Sequence, residues 1–529
     1  MIRIPLILSL ILSAATANLP MTPADQFDLV ITNARIVDGT GNPWFRGSIA
    51  IKEGRIARVG HFDETNAKQT IEAHGQIVAP GFIDVHVHTE DIYSNPKAEN
   101  FIRMGVTSLI TGNCGGSELD IKEFLGRVKT KPLAVNLGTL IGHNTVRSKA
   151  MGLDNREPTP DEQAKMDALV EQAMKDGAVG FSTGLIYLPG TYAKTGEVLA
   201  LAKVAAKYNG VYASHIRNEE GHVVEAITEA ISIGEQAHMA VEVSHFKISS
   251  KRLWGQSQTT LGLVRAARNR GVTVTVDQYA YTASSTSLDS RMPSWALAGG
   301  RKEGRKRVAD PTTRAKIVEE MKKELNDRGF KDYSYANVAS YDADPKFNGK
   351  NIKEITKLAR GKDKLNDQID QILEMYDKGG ASMVYHSMSE DDVKNIMREP
   401  FTMIASDSGV RELGVGMPHP RGYGDNARVL GHYVRELNLI PLEDAIRKMT
   451  SLPAQTFGLR DRGLIREGFA ADLVIFDEGK IIDRATFDAP HQYAEGVSTV
   501  IVNGETVYSD GKMTGAMSGQ ALYGPGLNK

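Results

Sequence analysis

Residues 79–88 read APGFIDVHVH, an apolar strand that ends in His86-Val87-His88. Side chains two residues apart on a strand point to the same face of a sheet. The imidazoles of His86 and His88 are therefore expected to lie side by side. Because imidazole is the commonest metal ligand in proteins, the pair is a candidate metal site.

This strand is the first of eight that alternate with amphipathic helical stretches such as residues 161–175 and 223–236. Eight successive βα units predict a (β/α)8 TIM barrel, in which the active site lies at the carboxyl ends of the strands. The expected strands are residues 81–87, 106–111, 133–137, 178–182, 211–214, 240–244, 272–276 and 402–405.

Residue types that bind metals recur where these strands end. Cys114 follows the second strand, His215 the fifth, His245 the sixth and Asp407 the eighth. Since the strand ends share one rim of a barrel, these side chains are expected to converge with His86 and His88. The other strands lead to His143, to Tyr187, and to Asp277, Tyr279 and Tyr281.

Cys114, His215 and His245 form a Cys-His-His set, and three protein ligands plus one open position is the composition of a catalytic zinc site. Binding of the metal deprotonates the thiol. A carboxylate beside such a site, here Asp407, can relay protons as a general acid/base. Two cations, each two residues beyond one of the histidines, are candidates to bind a substrate anion: Arg217 and Lys247.

The two chain ends differ from the centre. Residues 1–17 combine Arg3, a short apolar run and small residues before a cleavage site after Ala17, which is typical of a signal peptide and predicts a periplasmic or secreted protein. The β-rich segments 26–79 and 463–515 are expected to close into one small β-sandwich beside a barrel domain at 80–455. The connection between strands seven and eight is too long for a loop and predicts an inserted subdomain at about 288–370.

The formal net charge of −2 offers no electrostatic basis for binding nucleic acid or an anionic membrane. No segment after the signal is apolar over the length that a bilayer requires, so no stable membrane association is expected after cleavage. With a single cysteine, the chain has no internal disulfide. The oligomeric state remains open.

Residues 79–88 resemble the opening motif of the amidohydrolase superfamily, whose members combine a (β/α)8 barrel, a β-sandwich from both chain ends and one or two metals. Many members bridge two metals with a lysine on strand four, but residues 177–185 contain none. The D-aminoacylase (N-acyl-D-amino-acid deacylase) family uses a cysteine from strand two instead, and GNCG at 112–115 is similar to its motif. Further similar segments are 180–192 (GFSTGLIYLPGTY), 214–219 (SHIRNE), 244–247 (SHFK) and 419–421 (HPR).

The resemblance implies a role for each matching residue. Cys114, His215 and His245 would hold a tight Zn²⁺, and His86 and His88 would form a weaker second site that shares Cys114. Asp407 would be the catalytic acid/base. The residues expected to bind the substrate are Lys247, Tyr281, Ser287, Arg421 and Tyr187, with Tyr279 an alternative to Tyr281 and Arg411 an alternative to Arg421.

The function that the resemblance implies is zinc-dependent hydrolysis of small N-acyl-D-amino acids. One alternative is a cyclic-amide hydrolase of the dihydroorotase or hydantoinase kind, against which the missing lysine on strand four counts. The other is a catalytically silent barrel that binds a ligand. A complete set of metal ligands together with Asp407 argues against it, because a binding protein needs no proton relay. The preferred acyl group and side chain remain open.

Overall fold

A computed structural model describes residues 26–527, so the predicted signal peptide at 1–17 lies outside the described residues. The strands are β1 (Phe27–Ile36), β2 (Phe45–Lys52), β3 (Arg55–Gly60), β4 (Ala67–Glu72), β5 (Ile77–Pro80), β6 (Phe82–Asp84), β7 (Val106–Thr111), β8 (Asn136–Thr139), β9 (Ile141–Gly142), β10 (Gly180–Gly184), β11 (Val211–His215), β12 (Val241–Val243), β13 (Val274–Gln278), β14 (Ser284–Ser287), β15 (Ala336–Ser340), β16 (Ser382–Tyr385), β17 (Thr402–Ile404), β18 (Leu473–Phe476), β19 (Val497–Val502), β20 (Glu505–Ser509) and β21 (Lys512–Met513).

The helices connect these strands. They are α1 (Glu99–Ile102), α2 (Ile121–Gly126), α3 (His143–Met151), α4 (Pro160–Lys175), α5 (Thr195–Ala206), α6 (Val223–Ala237), α7 (Ser257–Asn269), α8 (Arg301–Ala309), α9 (Pro311–Asp327), α10 (Ile352–Arg360), α11 (Leu365–Asp377), α12 (Glu390–Met397), α13 (Arg421–Arg428), α14 (Leu442–Met449) and α15 (Ser451–Thr456). Between residues 26 and 527, no helix has the length and hydropathy needed to cross a bilayer.

The barrel closes as the sequence predicts. Strands β6, β7 and β8 pair in parallel, and β9, β10, β11, β12, β13 and β17 form the continuing sheet. Residues 136–142 run from β8 into β9 and so join the two sheets. The circle is completed between the first and last strands, where the His88 N–H donates to the Ser408 carbonyl at 2.9 Å and the Asp407 N–H donates to the His86 carbonyl at 2.9 Å.

The barrel helices bury one face each against these strands. Helix α4 begins at a capping box in which Thr159 and Glu162 satisfy each other's backbone N–H groups, with Pro160 as the first helical residue. Its apolar side chains at Met166, Val170 and Met174 are buried at helical spacing. The strand that follows this helix, β10, is held in the barrel wall by parallel pairing with β9 and β11.

The two chain ends build one β-module, as expected, and its strands form a continuous nine-stranded sheet in the order β21-β20-β19-β18-β5-β1-β2-β3, with β4 beside β1. The join between the ends is β18 against β5, where Val474 pairs with Ala79. The sheet curls so that the Ile56 N–H donates to the Phe469 carbonyl at 2.8 Å. It encloses an apolar core that includes Leu29, Ile31, Ile49, Ile51, Leu473 and Ile501.

The insert between barrel strands β13 and β17 has its own core. Strands β14, β15 and β16 form an antiparallel sheet, and helices α8 to α11 pack around it. The insert therefore extends beyond the predicted 288–370, because β14 and β16 pair from Ser284–Tyr385 to Ser287–Ser382. Strand β14 reads Ser-Ser-Thr-Ser, so no hydrophobic alternation marks it in the sequence.

Candidate metal centre and active site

The carboxyl ends of the barrel strands open into a cavity of about 710 Å³, and the insert forms one of its walls. Most of the predicted site residues line this cavity. They are His88, Cys114, Tyr187, His215, His245, Lys247, Ser287, Asp407 and Arg421. His86 is fully buried and is not among the residues that line the cavity.

Cys114 lies at the centre of the cluster. Its Sγ is 3.4 Å from His86 Nε2, 3.5 Å from His215 Nδ1 and 3.6 Å from His245 Nε2. Burial alone would raise the pKa of the Cys114 thiol, but the charge of His86 and hydrogen bonds from the histidines hold that pKa well below its ordinary value. The site therefore favours a thiolate, the form that binds metal.

Three of the site residues adopt left-handed backbone conformations. The φ angles are 52° at Cys114, 38° at His245 and 49° at Asp407, although none of the three is a glycine. Such conformations cost free energy and cluster at functional sites. Each lies two or three residues beyond the end of its barrel strand, and its side chain lines the cavity.

Asp277 orients two of the histidines, and sequence reasoning gave it no role. Its Oδ2 lies 2.9 Å from His86 Nδ1, and its Oδ1 accepts a hydrogen bond of 2.8 Å from the backbone N–H of His245. A carboxylate on the far nitrogen of a ligating histidine holds the tautomer that directs the other nitrogen at a metal. The signal was its position at the end of the seventh strand.

Asp407 is buried between the histidines and a guanidinium. Its Oδ1 is 3.2 Å from His88 Nε2, and its Oδ2 is 2.8 Å from Arg421 Nη1. Burial would raise the pKa of this carboxyl, but the charges of Arg421 and His86 hold it well below its ordinary range. Asp407 is therefore ionised and faces the cavity as a proton acceptor.

Glu219 is a further site residue that sequence reasoning missed. Its Oε1 is 3.0 Å from His245 Nδ1 and forms an ion pair with Lys247 Nζ. The Lys247 charge and those of the histidines hold the pKa of Glu219 below its ordinary value, against the effect of burial. Glu219 therefore compensates the Lys247 charge and orients His245. Its signal was the position four residues after His215 in SHIRNE.

Some of the predicted substrate-binding residues face the cavity, and Tyr281 does not. The Tyr187 ring packs 4.9 Å from that of His215, and its hydroxyl pairs with Thr286 Oγ1 at 2.9 Å. Ser287 lines the cavity from β14. Tyr281 does not face it, because its hydroxyl donates to Asp483 at 3.1 Å. The predicted substrate-binding position of Tyr281 is therefore wrong, because the chain leaves the rim after β13. The Tyr281 hydroxyl lies against helix α13, where a Cβ added at Gly424 would be 2.6 Å from it.

Tyr279 is also buried away from the open cavity, with its hydroxyl 3.6 Å from Met388 Sδ. Its ring instead supports the Arg421 guanidinium at 4.5 Å. Two other candidates are occupied elsewhere. Arg217 is paired with Glu229 at 2.9 Å, and His143 Nε2 is 2.8 Å from Glu197. Neither side chain lines the cavity.

The fourth barrel strand, β10, brings no lysine to the metal centre. Lys175 is the last residue of α4, at the opposite end of β10 from the site, and its Nζ pairs with Glu171 at 3.0 Å. In place of a lysine, β10 ends in Gly184, where an added Cβ would lie 1.9 Å from the Cys114 carbonyl oxygen. The absence of a side chain at Gly184 thus makes room for the loop that carries Cys114.

The donor set fits a metal. Around a tetrahedral zinc, with Zn–S of about 2.3 Å and Zn–N of about 2.0 Å, sulfur and nitrogen ligands lie about 3.5 Å apart. The three Sγ–N distances at Cys114 agree with this value. Three groups of candidate ligands among residues 26–527 have suitable spacing: His86, Cys114 and His245; His86, His88 and Asp407; and His215, Glu219 and His245. A thiolate with imidazoles is the donor set that suits zinc.

This closed barrel and its cysteine-histidine centre define a metal-dependent amidohydrolase. An amidohydrolase family model matches residues 307–508. The D-aminoacylase of Alcaligenes xylosoxydans xylosoxydans is 33% identical over 527 residues, with 94% of this chain and 98% of that protein covered. The N-acyl-D-glutamate deacylase of the same organism is 33% identical, with 92% and 94% covered. This chain belongs to the N-acyl-D-amino-acid deacylase (D-aminoacylase) family.

Solved structures support the same family assignment. The N-acyl-D-glutamate deacylase of Bordetella bronchiseptica, complexed with zinc and a phosphonate inhibitor that mimics the tetrahedral intermediate, superposes with a TM-score of 0.81 at 33% identity, covering 94% of this chain and all of that one. The L-hydantoinase of Arthrobacter aurescens has a TM-score of 0.55 at 16% identity, with 94% of this chain and all of that one covered, and shares the fold.

Proposed function

We propose that this protein hydrolyses the amide bond of N-acyl-D-amino acids and releases a carboxylate and the free D-amino acid. The observation that carries the proposal is the convergence of Cys114, His215 and His245 with an ionised Asp407 in one cavity. Lys247 and Arg421 add positive charge to its walls, which suits a substrate with a carboxylate. The family members named D-aminoacylase and N-acyl-D-glutamate deacylase support this assignment.

The metal of this site is proposed to be zinc, held tightly by Cys114, His215 and His245. His86 and His88, which share Cys114, would form a weaker second site. The support is the donor chemistry of the cluster and the zinc in the Bordetella bronchiseptica structure. When bound, zinc would supply Lewis-acid polarisation of the substrate acyl oxygen and a lower pKa for the attacking water.

The side chains of the site transfer the proton and position the substrate. The Asp407 carboxylate takes a proton from the attacking water and delivers it to the leaving nitrogen as the amide C–N bond breaks. Arg421 keeps Asp407 ionised and fixes its position at 2.8 Å. Lys247, positioned by Glu219, and Arg421 attract the substrate carboxylate, which orients the amide. Asp277 holds His86 throughout.

The cyclic-amide alternative has weaker support. The hydantoinase likeness extends to the fold, whereas the cysteine on strand two replaces the lysine on strand four. A silent binding barrel has no need for a buried, ionised carboxylate among metal ligands, because keeping such a group charged is costly.

A stereochemically paired panel tests the proposal. N-acetyl and N-formyl derivatives of the D- and L-forms of methionine, leucine, glutamate and aspartate are assayed with added zinc, together with a hydantoin. We expect turnover of D-derivatives and little of the L-forms. Faster turnover of L-derivatives, or of the hydantoin, would refute the assignment.

We further propose that the protein is exported and cleaved after Ala17. The support is the signal-peptide pattern of residues 1–17. Expression of the full chain in a bacterium, followed by cell fractionation and amino-terminal sequencing, should give a periplasmic or secreted protein that begins at Asn18. A cytoplasmic protein with an intact amino terminus would contradict export.

A further inference from the structure

Arg411 differs from the other cations at the cavity wall. Lys247 pairs with Glu219, and Arg421 pairs with Asp407. The other two arginines of the cavity wall, Arg291 and Arg328, both pair with Glu220. Within the described part of the chain, no carboxylate lies at ion-pair distance from the Arg411 guanidinium. Among residues 26–527, the Arg411 side chain has one hydrogen-bond partner, Ser408 Oγ, at 3.1 Å from its Nε.

The fold holds Arg411 firmly in this position. The Arg411 backbone N–H donates to Asn100 Oδ1 at 3.2 Å, and Asn100 Nδ2 in turn donates to the Gly422 carbonyl at 2.8 Å. The side chain crosses Gly422, where an added Cβ would lie 3.1 Å from Arg411 Cγ. Arg411 is thus preorganised beside Arg421, at the rim of the same cavity.

The electrostatic balance here is incomplete. Arg411 and Arg421 together carry two positive charges against the one negative charge of Asp407. Burial and the neighbouring Arg421 lower the pKa of Arg411, whereas Tyr423, Asp407 and Asp91 oppose this at longer range. Arg421 Nε is also buried without a hydrogen-bond partner among residues 26–527. Arg411 is half-buried and its charge is repelled by that of Arg421, so a bound anion would offset this unfavourable interaction.

We propose that Arg411 binds a carboxylate of the substrate and, with Arg421, forms a two-guanidinium clamp at the cavity wall. The inference rests on the proposed deacylase function and adds a residue that determines substrate selection. The carboxylate is either the α-carboxylate of the N-acyl-D-amino acid or the side-chain carboxylate of an acidic one. Both present the same planar anion to a guanidinium fork.

The test compares Arg411→Met, which keeps the apolar stem, with Arg411→Lys, which keeps the charge. Each is assayed on N-acetyl-D-methionine, N-acetyl-D-methionine amide, N-acetyl-D-glutamate and N-acetyl-D-glutamine, with zinc content measured. Loss of a charge-assisted contact is expected to lower kcat/KM of Arg411→Met by roughly 10- to 100-fold, mainly through KM. Arg411→Lys should recover part of it. The matched control is Glu412→Gln, which changes the charge of an exposed neighbour in the same loop.

The pattern across substrates identifies the carboxylate. A loss on all three acids that spares the amide supports binding of the α-carboxylate, and a loss confined to N-acetyl-D-glutamate supports binding of the side-chain carboxylate. An equal loss on acid and amide, or no loss, would overturn the proposal, because a purely structural role does not distinguish them. Absence of wild-type turnover on every N-acyl-D-amino acid would instead refute the proposed function.

Discussion

At the scale of single residues, Cys114 connects the metal-binding groups. Its Sγ is almost equidistant from three histidines that arrive on different barrel strands. In the proposed metal centre, the Cys114 thiolate belongs to both the tight site and the second site, which explains why strand four needs no lysine. Removing it would take away this proposed ligand and also the negative charge that allows the imidazoles to lie so close together.

Cys114→Ala is therefore expected to lose most of the tightly bound zinc and nearly all activity, while the fold is retained. The measurements are the metal-to-protein ratio after dialysis and turnover with added zinc. Full zinc occupancy in this variant would show that Cys114 is not a ligand.

Asp407→Asn separates proton relay from metal binding, because it keeps the size of the side chain and part of its hydrogen bonding. We expect a normal zinc ratio, a near-normal KM and a kcat lowered by about 10²–10⁴ or more, the usual loss for a general acid/base. Glu412→Gln, at an exposed carboxylate of the same loop that does not line the cavity, is the control and should retain most activity. If Asp407→Asn keeps more than about a tenth of the rate, the proposed relay is wrong.

At the scale of elements, the position of Cys114 depends on how closely the loop after β7 approaches the end of β10. The loop after β7 carries Cys114 against the end of β10, and Gly184 is the point of contact. Because an added methyl group would overlap a backbone oxygen, which cannot move aside as a flexible side chain can, the loop itself would have to shift. The position of the thiolate thus depends on a glycine on another strand.

Gly184→Ala is expected to lower zinc affinity and activity strongly and to cost about 1–3 kcal/mol of stability, as overpacking does. Zinc titration and thermal unfolding measure the two effects. Gly196→Ala is the matched control, since Gly196 lies in α5 with no atom near its added Cβ. That variant should bind zinc normally, and Gly184→Ala behaving identically would argue against this contact.

At the scale of the whole molecule, the metal cluster ties together distant parts of the barrel. Its candidate ligands come from the end of β11 and from the loops after β6, β7, β11, β12 and β17, between residues 86 and 407. A metal that binds the folded state alone stabilises it by mass action.

Zinc added to chelator-treated protein at about a hundred times its Kd should contribute about 2.7 kcal/mol and raise Tm by roughly 2–5 °C. Differential scanning calorimetry of the wild type and Cys114→Ala checks this, with the variant expected to respond weakly. An equal rise in both proteins would indicate that zinc acts elsewhere.

The sequence by itself determined the barrel, the two-ended β-module and the metal-binding residue types, because strand periodicity and polar residues after strands are local signals. It did not reveal Glu219 or Asp277 as partners of the histidines, since those contacts join separate strands. It misplaced Tyr281, whose direction depends on where the chain leaves the rim after β13. The polar strand β14 had no hydrophobic pattern, so the limits of the insert required the tertiary structure. Arg217 already has an ion-pair partner, whereas Arg411 has none among residues 26–527. This difference depends on long-range packing that no local pattern records.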